Sequence, residues 1–371
     1  ASRSCSSATA SGIDSSTNVA LFSEGETRPV KTFSIGYAAG SDSVADELPF
    51  ARLMAEKVGA EHHEIRLTQD DLLDFLPRMI DLQDEPIADP VCVPVYYLSK
   101  LARDNGVTVA QVGEGADELF WGYPAWKAFL WLDRANRLPV PRALKGLGAG
   151  LLDRAGQGRR ASVEMLRRAG AGQSIFWGGA EAFTHSDKLA LLSPRLRESY
   201  AGYSSWEAIA PIRRRFEEKA PQPSFLNWMT YLDLSLRLPE LLLMRVDKMS
   251  MGVGLEARVP FLDQDMIVLA MSLPQSAKTR NNELKHVLKK AVAGLLPPEI
   301  MARRKQGFAV PVRDWFRGRL GAEAREGLQG FMRETDFLDP AMVDTVFARG
   351  PGPQPWYLLN FALWWKHHVA G

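Results

Sequence analysis

Three carboxylates and two glycines fall within the six residues Gly113-Glu114-Gly115-Ala116-Asp117-Glu118. Glycine lets the backbone approach a ligand closely. Carboxylates packed this densely repel one another unless a cation takes up their charge. The apolar run Val107-Thr108-Val109-Ala110-Gln111-Val112 comes just before, so the loop reads as a strand end able to hold a metal bound to a polyphosphate. A second loop of similar placement, Ser11-Gly12-Ile13-Asp14-Ser15-Ser16, lies near the N-terminus. Small residues ahead of a helix expose backbone N–H groups, and the helix dipole favours an anion there. Ser15 and Ser16 add hydroxyl donors, and Asp14 would repel a bare phosphate, which calls for Mg²⁺ between them. No Gly-Lys-Ser/Thr is present, so this is not a Walker A loop. Each loop also has a plain structural reading: a Ser/Asp helix cap at 11–16 and an acidic helix N-terminus at 113–118. Taken together, Asp14 and Asp117 are candidate ligands of one metal, and Glu114 is a candidate base or positioner of an amine. A nucleotide enzyme is the leading idea.

The elements that must position these loops can be read from periodicity. Lys31 to Tyr37 places Phe33, Ile35 and Tyr37 on one face, as a strand does. Phe50, Leu53, Met54 and Val58 recur at helical spacing, with Gly59 as the stop. His62 to Leu67 reads as a short strand and Asp70 to Leu82 as a helix, with Pro77 set to kink or split it. Val95 to Arg103 reads as a further helix, and Val107 to Val112 as the clearest strand. This β-α-β-α-β order argues for an α/β fold with a parallel sheet flanked by helices, in which ligands collect at the carboxyl ends of strands. By contrast, Arg3 to Thr9 lacks β-branched apolar residues and makes a poor central strand.

Downstream the chain changes character. Residues 137–172 are rich in Arg, Gly, Ala and Leu, and their basic run reads as a solvated helical face more readily than as a site for an anionic partner. Phe225, Trp228, Met229, Leu232 and Leu236 form a helical stripe, Pro239 marks a break or new start, and Arg245 to Asp263 is dense in charge and turns. Asn281 to Leu296 reads as one amphipathic helix, and Trp356 to Val369, apolar nearly all round, as a buried docking helix. The expected division is a nucleotide-binding α/β core at 1–130, a helical insert at 131–223 and a helical part at 224–371 that completes the site, within a single domain overall.

The 371 residues are 46% hydrophobic and 24% charged, as expected for a globular chain with a sizeable core. Net charge is +1, which gives no electrostatic case for a nucleic-acid partner. No stretch reaches the roughly 18 apolar residues of a membrane span, and Ala1 to Ala10 lacks the apolar core of a signal peptide. Cys5 and Cys92 form no Cys-x-x-Cys pair and have no evident base, so a reducing, cytoplasmic setting is the simplest reading and a thiol nucleophile is disfavoured. His62-His63 and His367-His368 are adjacent pairs pointing to different faces, so neither is a natural chelate.

Several segments together resemble the synthetase domain of class B, glutamine-dependent asparagine synthetases, members of the PP-loop ATP pyrophosphatase superfamily. They are the two loops above, Thr32-Phe33-Ser34-Ile35-Gly36, Asp84-Glu85-Pro86, Arg245-Val246-Asp247-Lys248-Met249-Ser250, Leu255 to Asp263, and Arg304-Lys305-Gln306-Gly307-Phe308. The resemblance implies an adenine nucleotide alpha hydrolase-like core. It also implies a two-step reaction: a carboxylate attacks the α-phosphorus of ATP, and ammonia then attacks the acyl-adenylate to give an amide and AMP. By position, Ser11, Gly12, Ser15 and Ser16 would hold pyrophosphate. Ile35, Val112 and Gly113 would lie along the nucleotide, with Ile35 near the adenine. Asp14 and Asp117 would carry Mg²⁺, Glu114 would serve the adenylation or amine step, Lys285 would stand near the reacting phosphates, and Lys305 would lie on a loop over the site. Arg258 and Asp263 would form a buried or semi-buried charge network shaping the pocket.

Two departures stand out. The family opens with a glutaminase domain of roughly 200 residues carrying an N-terminal cysteine, whereas residue 1 here is Ala1. The chain is therefore expected not to hydrolyse glutamine, and to use free ammonia or a glutaminase supplied in trans, or else to be a fragment. The family's first loop reads Ser-Gly-Gly-x-Asp-Ser, and Ser11 replaces its first glycine. The expected function is ATP-dependent amidation of a small-molecule carboxylate, aspartate to asparagine by default. A sugar acid or another carboxylate is the alternative acceptor, and a catalytically impaired scaffold or partner subunit the alternative role. ATP and Mg²⁺ are the expected cofactors. Neither nucleic acid nor membrane is an expected partner, and a homodimer is admitted.

Overall fold

A computed structural model describes residues 5–8, 12–38, 44–303, 307–350 and 352–371. The chain opens with β1 (Cys5–Ala8), α1 (Ile13–Glu24), β2 (Lys31–Tyr37), α2 (Leu48–Val58), β3 (Glu61–Leu67), α3 (Gln69–Asp81), α4 (Cys92–Asp104) and β4 (Val109–Gln111). A short α5 (Ala116–Phe120) follows, then α6 (Ala125–Asn136), α7 (Arg142–Leu152) and α8 (Ala161–Gly170). The last strand, β5 (Glu256–Arg258), is added after a long helical stretch. The five strands are all parallel, in the order β3-β2-β1-β4-β5.

The α/β expectation therefore holds for the first part of the chain. The strand order reverses between β1 and β4, since β1 leads to β2 on one side and pairs with β4 on the other. Crevices open at such switch points beyond the carboxyl ends of strands. β2 is buried along nearly its whole length, as befits a parallel strand covered on both faces. Phe33 and Ile35 share a core with α3 and α4, and Tyr37 packs against it, so the one-face reading of β2 was sound. α1 and α2 cover the opposite face with Val19, Ala20, Ala51 and Met54. The edge strand β3 carries Glu61, Glu64 and Arg66, charges that discourage further strand pairing.

Several expectations need correction. The polar stretch judged a poor central strand is β1, seated between β2 and β4 and hydrogen-bonded to both. Pairing on two sides outweighs weak strand propensity. β4 is shorter than the predicted 107–112, and Pro77 lies inside α3 without splitting it. The helix predicted over 281–296 is confined to His286–Ala291, because Asn281, Asn282 and Lys285 adopt left-handed φ of 53°, 58° and 55°. Arg245 to Asp263 is more regular than predicted, comprising most of a helix at Met244–Met251 followed by β5. Arg258 and Asp263 are exposed. Arg258 Nε donates to Glu256 at 2.7 Å, and Asp263 caps the next helix by accepting from the Asp265 N–H at 2.9 Å. The C-terminal helix, Pro353–Trp365, buries Trp356, Leu358, Leu359 and Ala362 and packs on the helix at Arg319–Glu334, whereas Lys366 to Gly371 are exposed. Among the described residues no helix is long and apolar enough to cross a membrane.

Phe33 sits fully buried in the middle of β2. Phe33→Ala should cost about 3–5 kcal/mol of stability, read as a lower denaturation midpoint with an unchanged urea m-value. A loss below about 1 kcal/mol would mean that this core does not carry the sheet.

Candidate active site

The two glycine-bearing loops meet at the switch point because β1 and β4 are neighbours. Gly113 is required for the fit: a Cβ there would lie 3.0 Å from the Ser15 nitrogen and 3.2 Å from the Asp14 Cβ. Asn18 Nδ2 donates to the Val112 carbonyl at 3.0 Å and ties α1 to the second loop. Ser15 Oγ stays local, 3.3 Å from the Gly12 nitrogen and carbonyl.

Asp14 and Asp117 then face a common cation. The Lys285 ammonium lies 2.5 Å from Asp14 Oδ1 and 2.5 Å from Asp117 Oδ1, and only 4% of that side chain is exposed. Its backbone is one of the left-handed residues noted above, a conformation that costs a residue with a Cβ about 1–2 kcal/mol. Gly122 completes the cradle, since a Cβ there would fall 1.8 Å from Asp117 Oδ1 and 2.4 Å from Lys285 Cε.

Glu114 is held differently. Arg245, buried in the helix at Met244–Met251, donates to Glu114 Oε1 at 2.9 Å and to Asp89. Burial alone would lower the guanidinium's pKa, but Asp89 and Glu114 outweigh it and the group stays charged. Glu114 is thus a fixed carboxylate at the cavity wall. Arg245 appeared in a quoted motif but had been given no role. Its partners lie 156 and 131 residues away, beyond any local signal.

In the sequence Glu118 reads only as part of the acidic helix N-terminus at 113–118. It is 1% exposed, accepts from Tyr123 Oη at 2.5 Å and lies 3.9 Å from Arg237. Burial, reinforced by the charge of Asp117, pushes its carboxyl up to about 7, while the Tyr123 hydrogen bond and Arg237 pull the other way.

Two cavities adjoin at Gly12 and Asp14. One, of about 230 Å³, is walled by Ser15, Val112, Gly113, Glu114, Asp117 and Arg245, with an apolar floor that includes Ala110 and Leu255. The other, of about 310 Å³, lies on the far side of Asp14 and gathers Lys127, Lys285, Lys289 and Arg303. Of the residues expected at the site, Gly12, Asp14, Ser15, Val112, Gly113, Glu114, Asp117 and Lys285 come together here. Ser16 and Ile35 are buried and lie on neither wall. Ser11 and Lys305 fall outside the described residues. His62 bonds Thr32 and His63 bonds Glu61, so each pair member is engaged separately where His62 and His63 are concerned. Among the described residues no cluster of three or more His, Cys, Asp or Glu side chains is placed to hold a metal.

Glu118 has a folded value above the ordinary carboxyl value of 4.5, so its contribution to stability is full below that value and is lost as pH rises to about 7. Glu118→Gln keeps an acceptor for Tyr123 and removes the titration. The variant should melt with a flatter pH dependence than the parent between about 4.5 and 7, in thermal scans at matched ionic strength. Parallel curves would show that Glu118 is not the titrating group.

Residues 3–366 match the asparagine synthase family. The chain is 30% identical to asparagine synthetase [glutamine-hydrolyzing] 1 of Bacillus subtilis over 361 residues, which is 95% of this chain and 54% of that protein. It is likewise 30% identical to a putative asparagine synthetase [glutamine-hydrolyzing] of Mycobacterium bovis over 95% of this chain and 53% of that protein. At 23% identity, amidase chry2 of Gibberella zeae matches 80% of this chain and 46% of its own length. The chain thus spans about half the length of the first two relatives. With a match over nearly its whole length, and with the two loops joined at the switch point of a parallel sheet, the chain belongs to the asparagine synthase family.

Proposed function

We propose that this chain is a carbon–nitrogen ligase that activates a carboxylate with ATP through an acyl-adenylate and delivers ammonia to it, with aspartate as the acceptor. The observation that carries this reading is the meeting of Asp14 and Asp117 on one cation, between a small cavity and a basic one. Under it, residues 1–130 supply four strands of an adenine nucleotide alpha hydrolase-like core, whose edge strand β5 comes from the later part of the chain. Residues 131–223 are a helical insert, and 224–371 complete the site by supplying Arg245 and Lys285.

A carboxylate is a poor electrophile until one of its oxygens becomes a good leaving group. The second cavity sets Lys127, Lys285, Lys289 and Arg303 against Asp14 and Glu283, a positive excess suited to the charge of departing pyrophosphate even though Lys285, Lys289 and Arg303 already hold carboxylate partners. The fixed carboxylate of Glu114 lines the smaller cavity, which supports a role for it in orienting the incoming amine. Asp14 and Asp117 suit Mg²⁺: both present hard oxygens and already share one cation. As only two carboxylates, they would leave the remaining positions to water and phosphate oxygens, as that ion prefers. Bound there, Mg²⁺ would neutralise charge building on the phosphates. Ammonia arrives free or from a glutaminase.

The test is pyrophosphate exchange into ATP with aspartate and other carboxylates. Exchange should depend on aspartate, and Asp117→Asn should lower it about 100-fold or more with an unchanged circular dichroism spectrum. No exchange with any carboxylate in folded protein would overturn the enzymatic reading. Exchange with a sugar acid but not aspartate would overturn the acceptor.

A further inference from the structure

α7 has its polarity reversed for a helix on a globular protein. Leu144, Leu147 and Leu151 lie on one stripe and are 57%, 64% and 65% exposed. The opposite face, with Gly146 and Ala149, packs closely on α8, where a Cβ at Gly170 would fall 2.7 Å from the Gly146 nitrogen. Small residues are buried and large apolar ones face outward. Trp131 on α6 and Leu138 in the connection between the helices are exposed as well, at 66% and 61%. Single exposed leucines are ordinary, but a contiguous run marks an interaction surface.

The charge around this stripe is equally uneven. Residues 134–160 hold seven basic side chains against one carboxylate, Asp153, a net of +6 in a chain whose total is only +1. Arg134, Arg137, Arg142, Arg154 and Arg160 are exposed, so the segment presents its positive charge to solvent. Arg137 is partly neutralised by Asp133, at 2.7 Å.

We infer that the α6–α7 face docks on an anionic lipid bilayer, with Leu144, Leu147 and Leu151 in the acyl boundary and the arginines among the headgroups. An apolar stripe carrying leucine and tryptophan beside basic side chains is the composition that lies in the membrane interface, and anionic headgroups complement the charge. A second copy of the same face would bring two +6 segments together, which disfavours self-association through it. Contact is peripheral, since no described helix is long and apolar enough to cross a membrane.

The test is flotation of the 371-residue chain with phosphatidylcholine vesicles, with and without about one-third phosphatidylglycerol. The chain should float with the anionic vesicles only, and high salt should release it. Leu147→Glu with Leu151→Glu should lower partitioning about ten-fold or more. Arg154→Gln with Arg160→Gln should weaken it through charge alone. Both variants alter exposed positions and should keep the parent's melting temperature and spectrum. No flotation, equal flotation with neutral vesicles, or undiminished binding by the folded leucine variant would overturn the proposal. So would a dimer in sedimentation that the leucine variant dissolves, because the face would then be a protein interface.

Discussion

Two carboxylates held near each other in a buried place are unstable without a positive charge between them, and the site is organised around that requirement. Asp14 arrives at the start of α1, Asp117 in α5 and Lys285 from a turn near the C-terminal helices. Breaking a buried ion pair by removing one partner typically costs about 3–5 kcal/mol, because the survivor is left charged and desolvated. The tight backbone approach at Gly113, the missing side chain at Gly122 and the left-handed turn at Lys285 all serve this arrangement. Each is a local cost borne to bring three charges to one point.

The second charge cluster, built on Arg245, obeys the same rule with the signs exchanged. One buried guanidinium satisfies Asp89 and Glu114, so Glu114 reaches the cavity already fixed. Beside Asp117 in the chain lies Glu118, whose carboxyl is displaced upward by burial and by the charge of Asp117, against the pull of Tyr123 and of Arg237 at 3.9 Å. Three acidic residues of one six-residue loop thus occupy three electrostatic environments. Asp117 is paired with an ammonium, Glu114 with a guanidinium, and Glu118 is bonded to a phenol.

How much of this the sequence discloses follows the range of each interaction. The loops at 12–16 and 113–118 were legible because glycine, serine and aspartate carry their meaning locally. The face of β2 and the extent of α3 were legible because periodicity is local as well. β1 was not, since Cys-Ser-Ser-Ala has no strand signature and its strand character comes from two neighbours distant in sequence. The helix read over 281–296 was overextended because nothing in Asn281-Asn282-Glu283-Leu284-Lys285 announces three left-handed residues; tertiary demand for the Lys285 ammonium imposes one of them. Arg245 escaped because its partners lie 156 and 131 residues away, and Glu118 because its burial is set by the packing around it rather than by its neighbours in sequence.

The contact between Lys285 and Asp14 spans 271 positions. During synthesis from the N-terminus, both glycine-bearing loops leave the ribosome long before the ammonium that neutralises them. The emerging α/β core therefore carries two uncompensated carboxylates at its crevice, and their repulsion works against closing the loops on each other. Contacts this distant in sequence close late and slowly. The order of translation thus delivers Lys285 last of the three charged groups that meet at the candidate site.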